Sequence, residues 1–116
     1  MAAPNIVNVS IITGKTAGQA ITTTATAIVS NSAASGKVFK INALYVSNIT
    51  TLSGSVTIDV FRGSTPYRLA NNIAVPATAS LDIITKSIYL EEGDSIRLTA
   101  SNNSYLEAVC SYEEIS

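Results

Sequence analysis

The residues that suggest chemistry in this chain are few, and the first is Gly14-Lys15-Thr16, which has the form of a phosphate-binding loop ending. A P-loop needs a glycine five positions before the Gly-Lys pair, and a helix afterwards, so that backbone amides wrap the phosphates. That position is Val9, and no helical pattern follows. Glu91-Glu92-Gly93-Asp94 is the densest acidic cluster. Calcium takes about six to eight oxygen ligands, and three carboxylates around a glycine fall short. A solvated turn accounts for the same residues: Gly93 supplies the awkward backbone angle and Asp94 bonds its own turn amides.

Acid–base and nucleophilic catalysis fare no better. Glu91/Glu92 and Glu113/Glu114 are sequence neighbours, which on a strand point to opposite faces. The chain has no histidine, the commonest general base and transition-metal ligand. Cys110 stands alone, without a histidine partner, among alternating buried positions, and reads as a small core residue. Asn8, Asn48 and Asn102 begin Asn-x-Ser/Thr sequons, which carry no meaning without a secretory signal. Arg62, Arg68 and the five tyrosines are not grouped by sequence. The expectation is therefore no catalytic, cofactor or metal site, and no enzyme.

Composition points to contact rather than catalysis. The 116 residues are 47% hydrophobic and only 13% charged, against a usual charged fraction of about a quarter. A Thr-rich strand surface accounts for part of this, and a surface meant to meet a partner accounts for it equally. Net charge is −1, which argues against nucleic acid. Before Asp59 the charges are Lys15, Lys37 and Lys40, giving +3; from Asp59 onward four bases face eight acids, giving −4. Such polarity suits self-association or a polarised docking surface. One cysteine forms no internal disulfide. The N-terminus lacks a signal-peptide pattern, and no apolar run reaches the roughly 18–20 residues of a membrane span.

The elements that would position these residues all read as strands. Asn5–Thr13 is rich in Ile and Val; Gly14–Ala20 breaks the pattern with two glycines; Ala25–Ser30 is a short strand. In Lys37–Thr50 the apolar parity changes between Phe39/Ile41 and Leu44/Val46, which predicts a β-bulge near Asn42-Ala43. Ser55–Arg62 turns Val56, Ile58 and Val60 inward and Thr57 and Asp59 outward. Gly63–Pro66 is a turn, Tyr67–Ile73 a shorter strand, and Val75–Thr78 a connector. Ser80–Leu90 is a strand interrupted at Lys86. The last stretch alternates twice, through Ile96, Leu98, Ala100 and then Leu106, Ala108, Cys110, Tyr112, about Ser101–Ser104. That pattern predicts an antiparallel hairpin. Eight or nine short strands predict an all-β, antiparallel two-sheet β-sandwich, Ig-like or jelly-roll.

Several blocks occur in an order that resembles a small β-sandwich module of tailed-bacteriophage virions, most like those in phages of aquatic bacteria, cyanophages included. They are Thr24 to Val29, Gly36 to Asn48, Gly63 to Pro76, Leu90 to Arg97 and Ser111 to Ile115. The resemblance implies a non-enzymatic structural protein of the virion, assembled in the host cytoplasm, with the sandwich at 24–116. Residues 1–23, an extended arm with the first strand, fall outside it. The leading expectation is a capsid decoration (cement) protein on the outer shell, meeting the major capsid protein or another virion protein. Its arm would present Ile6, Val7, Val9 and Ile11 for strand pairing, with Lys15, Lys37 and Lys40 toward an acidic shell. Symmetric sites favour a homo-oligomer, a trimer first. The alternative is a neck or tail-fibre adhesion module contacting host glycans. Neither reading involves nucleic acid or a membrane.

Overall fold

The computed structural model describes residues 10–116. Among the described residues nine strands form two antiparallel sheets: β1 Ile12–Ile21, β2 Thr26–Ser30, β3 Val38–Asn48, β4 Gly54–Arg62, β5 Thr65–Val75, β6 Ser80–Asp82, β7 Ile88–Leu90, β8 Ser95–Ala100 and β9 Leu106–Ile115. The first sheet runs β1-β9-β3-β6, with β7 also on β3, and the second runs β2-β8-β4-β5. Nearly every connection crosses from one sheet to the other, and the exceptions are the tight β4–β5 hairpin and the β6–β7 link. This interleaving of early and late strands is the jelly-roll form of the sandwich.

The alternating apolar residues do what period two requires. Ile41, Leu44, Val46, Leu106, Ala108 and Cys110 of the first sheet meet Val56, Ile58, Ile96, Leu98 and Val29 of the second in one buried core. The bulge expected near Asn42-Ala43 is present: the β3–β9 register shifts between Ile41 and Ala43. It keeps both Phe39/Ile41 and Leu44/Val46 on the inner face.

Four expectations need correction. The strand expected over Tyr67–Ile73 is the longer Thr65–Val75, and it takes in Thr65 and Pro66 of the expected turn. The terminal alternation is not a hairpin, because β8 lies in one sheet beside β2 and β4, and β9 lies in the other beside β1 and β3. The two strands bury the same parity by facing each other through the core, an arch rather than a ladder. Gly14–Ala20 is no break; it is the body of β1 and pairs with β9 from Ile12↔Ile115 to Ile21↔Leu106. An unbroken ladder of ten residue pairs outweighs the weak strand preference of Gly14 and Gly18. Residues 12–21 thus belong to the first sheet, with Ile21 in the core. The Ser80–Leu90 strand is interrupted over 83–87 rather than at Lys86 alone, leaving two three-residue pieces.

Candidate functional site

The sandwich has two unlike ends. At one end lie the loops 22–25, 49–53, 76–79 and 101–105, and none of them contains a charged residue. Bonds between the loops lace them into one surface. The Ile49 amide donates to the Tyr105 carbonyl and the Thr78 amide to the Thr50 carbonyl, while the Thr23 amide donates to Asn103 Oδ1.

Asn48 fixes the most prominent loop. Its side chain, 4% exposed, donates from Nδ2 to the Leu52 and Val75 carbonyls at 2.7 and 3.1 Å. Its Oδ1 accepts from the Thr50 amide at 2.9 Å and the Thr50 hydroxyl at 2.7 Å. A buried side-chain amide with all these partners is rigid and strongly favoured over an unpaired one. It also cannot serve as a glycan acceptor. The loop so held raises Ile49 and Leu52 into solvent, 56% and 57% exposed. Two aliphatic side chains on a fixed, uncharged loop are shaped for a desolvating contact rather than for chemistry.

The opposite end is charged and internally satisfied. Arg62 donates through Nε and Nη2 to the two carboxylate oxygens of Asp94, at 2.9 and 2.6 Å, and through Nη2 to Glu91. The Glu91 amide donates to Asp94 Oδ2, and Gly93 takes φ +89°, so the acidic cluster is the self-bonded turn expected. Burial pushes the Asp94 carboxyl up, and the bonds from Arg62 and the Glu91 amide outweigh it, holding it below the usual carboxylate range. Glu92 accepts from the Gly36 amide. A shallow cavity of about 320 Å³ lies over Arg62, Gly63 and residues 91–94, but each of its carboxylates already has a donor. Among the described residues no group of three or more potential ligands is placed to hold a metal ion.

The residues expected to meet a partner are distributed differently. Ile6, Val7 and Val9 lie outside the described residues. Ile11 is exposed. Lys15 and Lys37 converge on one carboxylate, Glu114, at 2.9 and 3.1 Å. The Lys15 hydrogen bond, joined by Lys37, lowers the Glu114 pKa, and Glu114 in turn raises that of Lys15. Lys40 stands on the outer face of the first sheet, in register with Glu113 and Tyr89. Tyr45 and Tyr89 are half-exposed on that face, with Val109 opposite Tyr45.

Sequence reasoning missed Ile49 and Leu52: Ile49 falls at the end of the strand expected over Lys37–Thr50, and Leu52 lies just past it. The one trace in the sequence is the lack of charge in segments 22–25, 49–53, 76–79 and 101–105, which are scattered until the fold gathers them. It also missed the partners of Asp59. Asp59 faces away from the core as expected, yet it is 2% exposed, covered by Arg97 at 3.0 Å and Arg68 at 3.3 Å. The Arg97 guanidinium also lies 3.9 Å above the Phe61 ring centroid, a cation–π contact.

Cys110 is wholly buried, and burial pushes its thiol up to about 11, so it carries little thiolate at neutral pH.

No family model and no curated protein matches the chain. Among solved structures it is similar to a chain from work on Bacillus endospore appendages, which form a family of disulfide-linked pili. The TM-score is 0.57 at 16% identity, over 98% of this chain and 95% of that one. At that identity the likeness is one of fold, an all-β sandwich that serves a structural protein. The disulfide linkage of those pili has no counterpart here, because the sole thiol is in the core.

Proposed function

We propose that this protein is a non-enzymatic structural subunit of a phage virion, a capsid decoration protein that docks on the outer shell through its uncharged end. The observation that carries the reading is the placement of charge. Four laced loops without Asp, Glu, Lys or Arg present Ile49 and Leu52, while the other end closes on its own ion pairs. Desolvating an uncharged end strands no ion, so apolar contact there is not offset by charge burial. The virion part of the proposal is supported by the sequence resemblance, and the subunit part also by the structural likeness to a pilus protein. The segment with Ile6, Val7 and Val9 precedes Ser10 and Ile11, which bond Ser116 at the opposite rim. In this reading it reaches a neighbouring virion protein.

The test is binding to undecorated heads by the double variant Ile49→Asp/Leu52→Asp, read by co-sedimentation. Each buried aliphatic is worth about 1.5–3 kcal/mol, so affinity should fall well over ~tenfold. Undiminished occupancy would refute the docking end. Imaging of intact particles then counts copies: hundreds fit the shell, whereas roughly six to eighteen, set by neck and tail symmetry, fit the alternative. That alternative, an adhesion module for host glycans, is favoured by one observation, the half-exposed Tyr45 and Tyr89 on one face. A glycan screen with Tyr45→Ala as control addresses it.

A further inference from the structure

The edge of the first sheet formed by β1 differs from every other edge in the fold. Ile11 and Ser116 exchange both backbone bonds, at 2.9 Å each. With the β1–β9 register unbroken from there, the odd residues 13, 15, 17, 19 and 21 bond to β9. The even residues Ile12, Gly14, Thr16, Gly18 and Ala20 therefore aim their N–H and C=O groups away from the sheet. Among the described residues nothing pairs with that row.

Sheet edges are normally blunted by proline, bulges, shortness or charge, and the other edges here are. Strand β5 carries Pro66, two register shifts and Asn72 at φ +52°. Strand β2 has five residues and a shift at Ala27/Val29. Strands β6 and β7 have three residues each. Strand β1 has ten residues and no irregularity. Its one charge, Lys15, faces the inner side and is held by Glu114, so it does not guard the edge.

We propose that β1 is a self-pairing edge: two copies join β1 to β1 in antiparallel fashion about a twofold axis, fusing their first sheets into one. A second copy is the occupant because an open row of this length and regularity is matched, among the described residues, only by the same row. The register follows from the side chains. Centring the axis on Thr16 pairs Ile12 with Ala20, Gly14 with Gly18 and Thr16 with Thr16 of the second copy. Each facing pair exchanges two bonds, giving about ten across the junction. Thr–Thr is a favourable cross-strand pair, and Lys15 then sits opposite Ala17. Centring one residue earlier would set Lys15 against Lys15, which like charge disfavours. The small side chains of Gly14, Thr16, Gly18 and Ala20 leave the outer face flat at the seam. A trimer would instead require β1 to meet a different edge, and none matches it.

The pairing stands apart from the capsid reading. A dimer that fails to bind heads sinks the latter alone, and a monomer that decorates heads sinks the pairing alone. Sedimentation equilibrium on the full chain, from about 1 µM to 1 mM, spans the range in which such contacts titrate. The expected result is a shift toward twice the chain mass. Thr16→Pro removes an N–H that points off the sheet and spares the β9 ladder, so it should hold the mass at that of one chain with melting little changed. A monomer throughout, a trimer, or an undisturbed Thr16→Pro dimer would overturn the proposal. If Thr16→Pro does not fold, amide exchange on the native chain decides. Protection of the Gly14, Thr16 and Gly18 amides that grows with concentration supports pairing. Fast exchange at every concentration overturns it, and so does protection in a monomer, which would give the edge to residues 1–9 of the same chain.

Discussion

Asn48→Ala is the sharpest test of how the uncharged end is built. The substitution removes two donors and one acceptor from a side chain 4% exposed. The Val75 carbonyl loses the Nδ2 donor, the Thr50 amide loses its acceptor, and the Leu52 carbonyl keeps only the Thr50 hydroxyl. A net hydrogen bond is worth about 1 kcal/mol, and a buried group left unpaired costs about 1–3 kcal/mol. Loop carbonyls regain some water once the clamp is gone, so the expected loss is about 2–4 kcal/mol. For a domain of this size about 1 kcal/mol moves Tm by roughly 4 °C. Melting followed by circular dichroism should therefore fall by roughly 10 °C. Asn48→Asp keeps the volume and one acceptor but turns an anion on two carbonyls, so it should lose at least as much. Asn102→Ala, at an exposed loop position whose side chain only accepts from Ser101, should stay within about 0.5 kcal/mol of the parent. If Asn48→Ala melts within roughly 3 °C of the parent, the clamp is not what holds the loop.

Acid should weaken the fold through Glu114 and Asp94. Both carboxyls titrate lower folded than unfolded, so their contribution is complete above the unfolded value of about 4.5 and fades as pH drops through the depressed values. Urea melts at pH 6 and pH 3 should show this loss, and Glu114→Gln should make it smaller; an unchanged slope would dismiss the lysine pair as the cause. Asp59→Ala leaves Arg97, over Phe61, and Arg68 without their shared carboxylate and should cost about 2 kcal/mol, less than a fully buried pair because both guanidiniums keep some water. Equal stability in chemical denaturation would contradict this. Cys110 should resist a thiol reagent in the folded protein at pH 8 and react fully in denaturant; fast native labelling would mean the core opens at β9.

Alternation in the sequence told which side chains are buried, and it was sufficient for the class of fold and for the bulge at Asn42, where Phe39/Ile41 and Leu44/Val46 reach the same core. It did not tell which strand lies beside which. Ile96–Ala100 and Leu106–Cys110 present the same pattern whether they pair laterally or face each other across 10 Å of core, so the arch was out of reach of periodicity. Gly14 and Gly18 speak locally for a loop, and only the long-range partner β9 makes that segment a strand. Asp59 was placed on the correct face, but its cover comes from arginines 9 and 38 positions away. The uncharged end was illegible for a related reason. Its four loops are scattered along the chain, and their shared lack of charge has meaning only once folding gathers them.

The position of β9 between β1 and β3 also governs when the protein can exist at all. The strand that bridges the first sheet is synthesised after the other eight described strands, so while it is missing β1 has no neighbour and β3 holds only the fragments β6 and β7. A nascent chain stalled before Leu106 can assemble the second sheet but cannot close it against the first. Folding of the sandwich must therefore wait until β9 has been synthesised. A premature stop just before Leu106 would yield a species with β1 and β3 bare and an open core, fit for degradation or aggregation rather than for partial function.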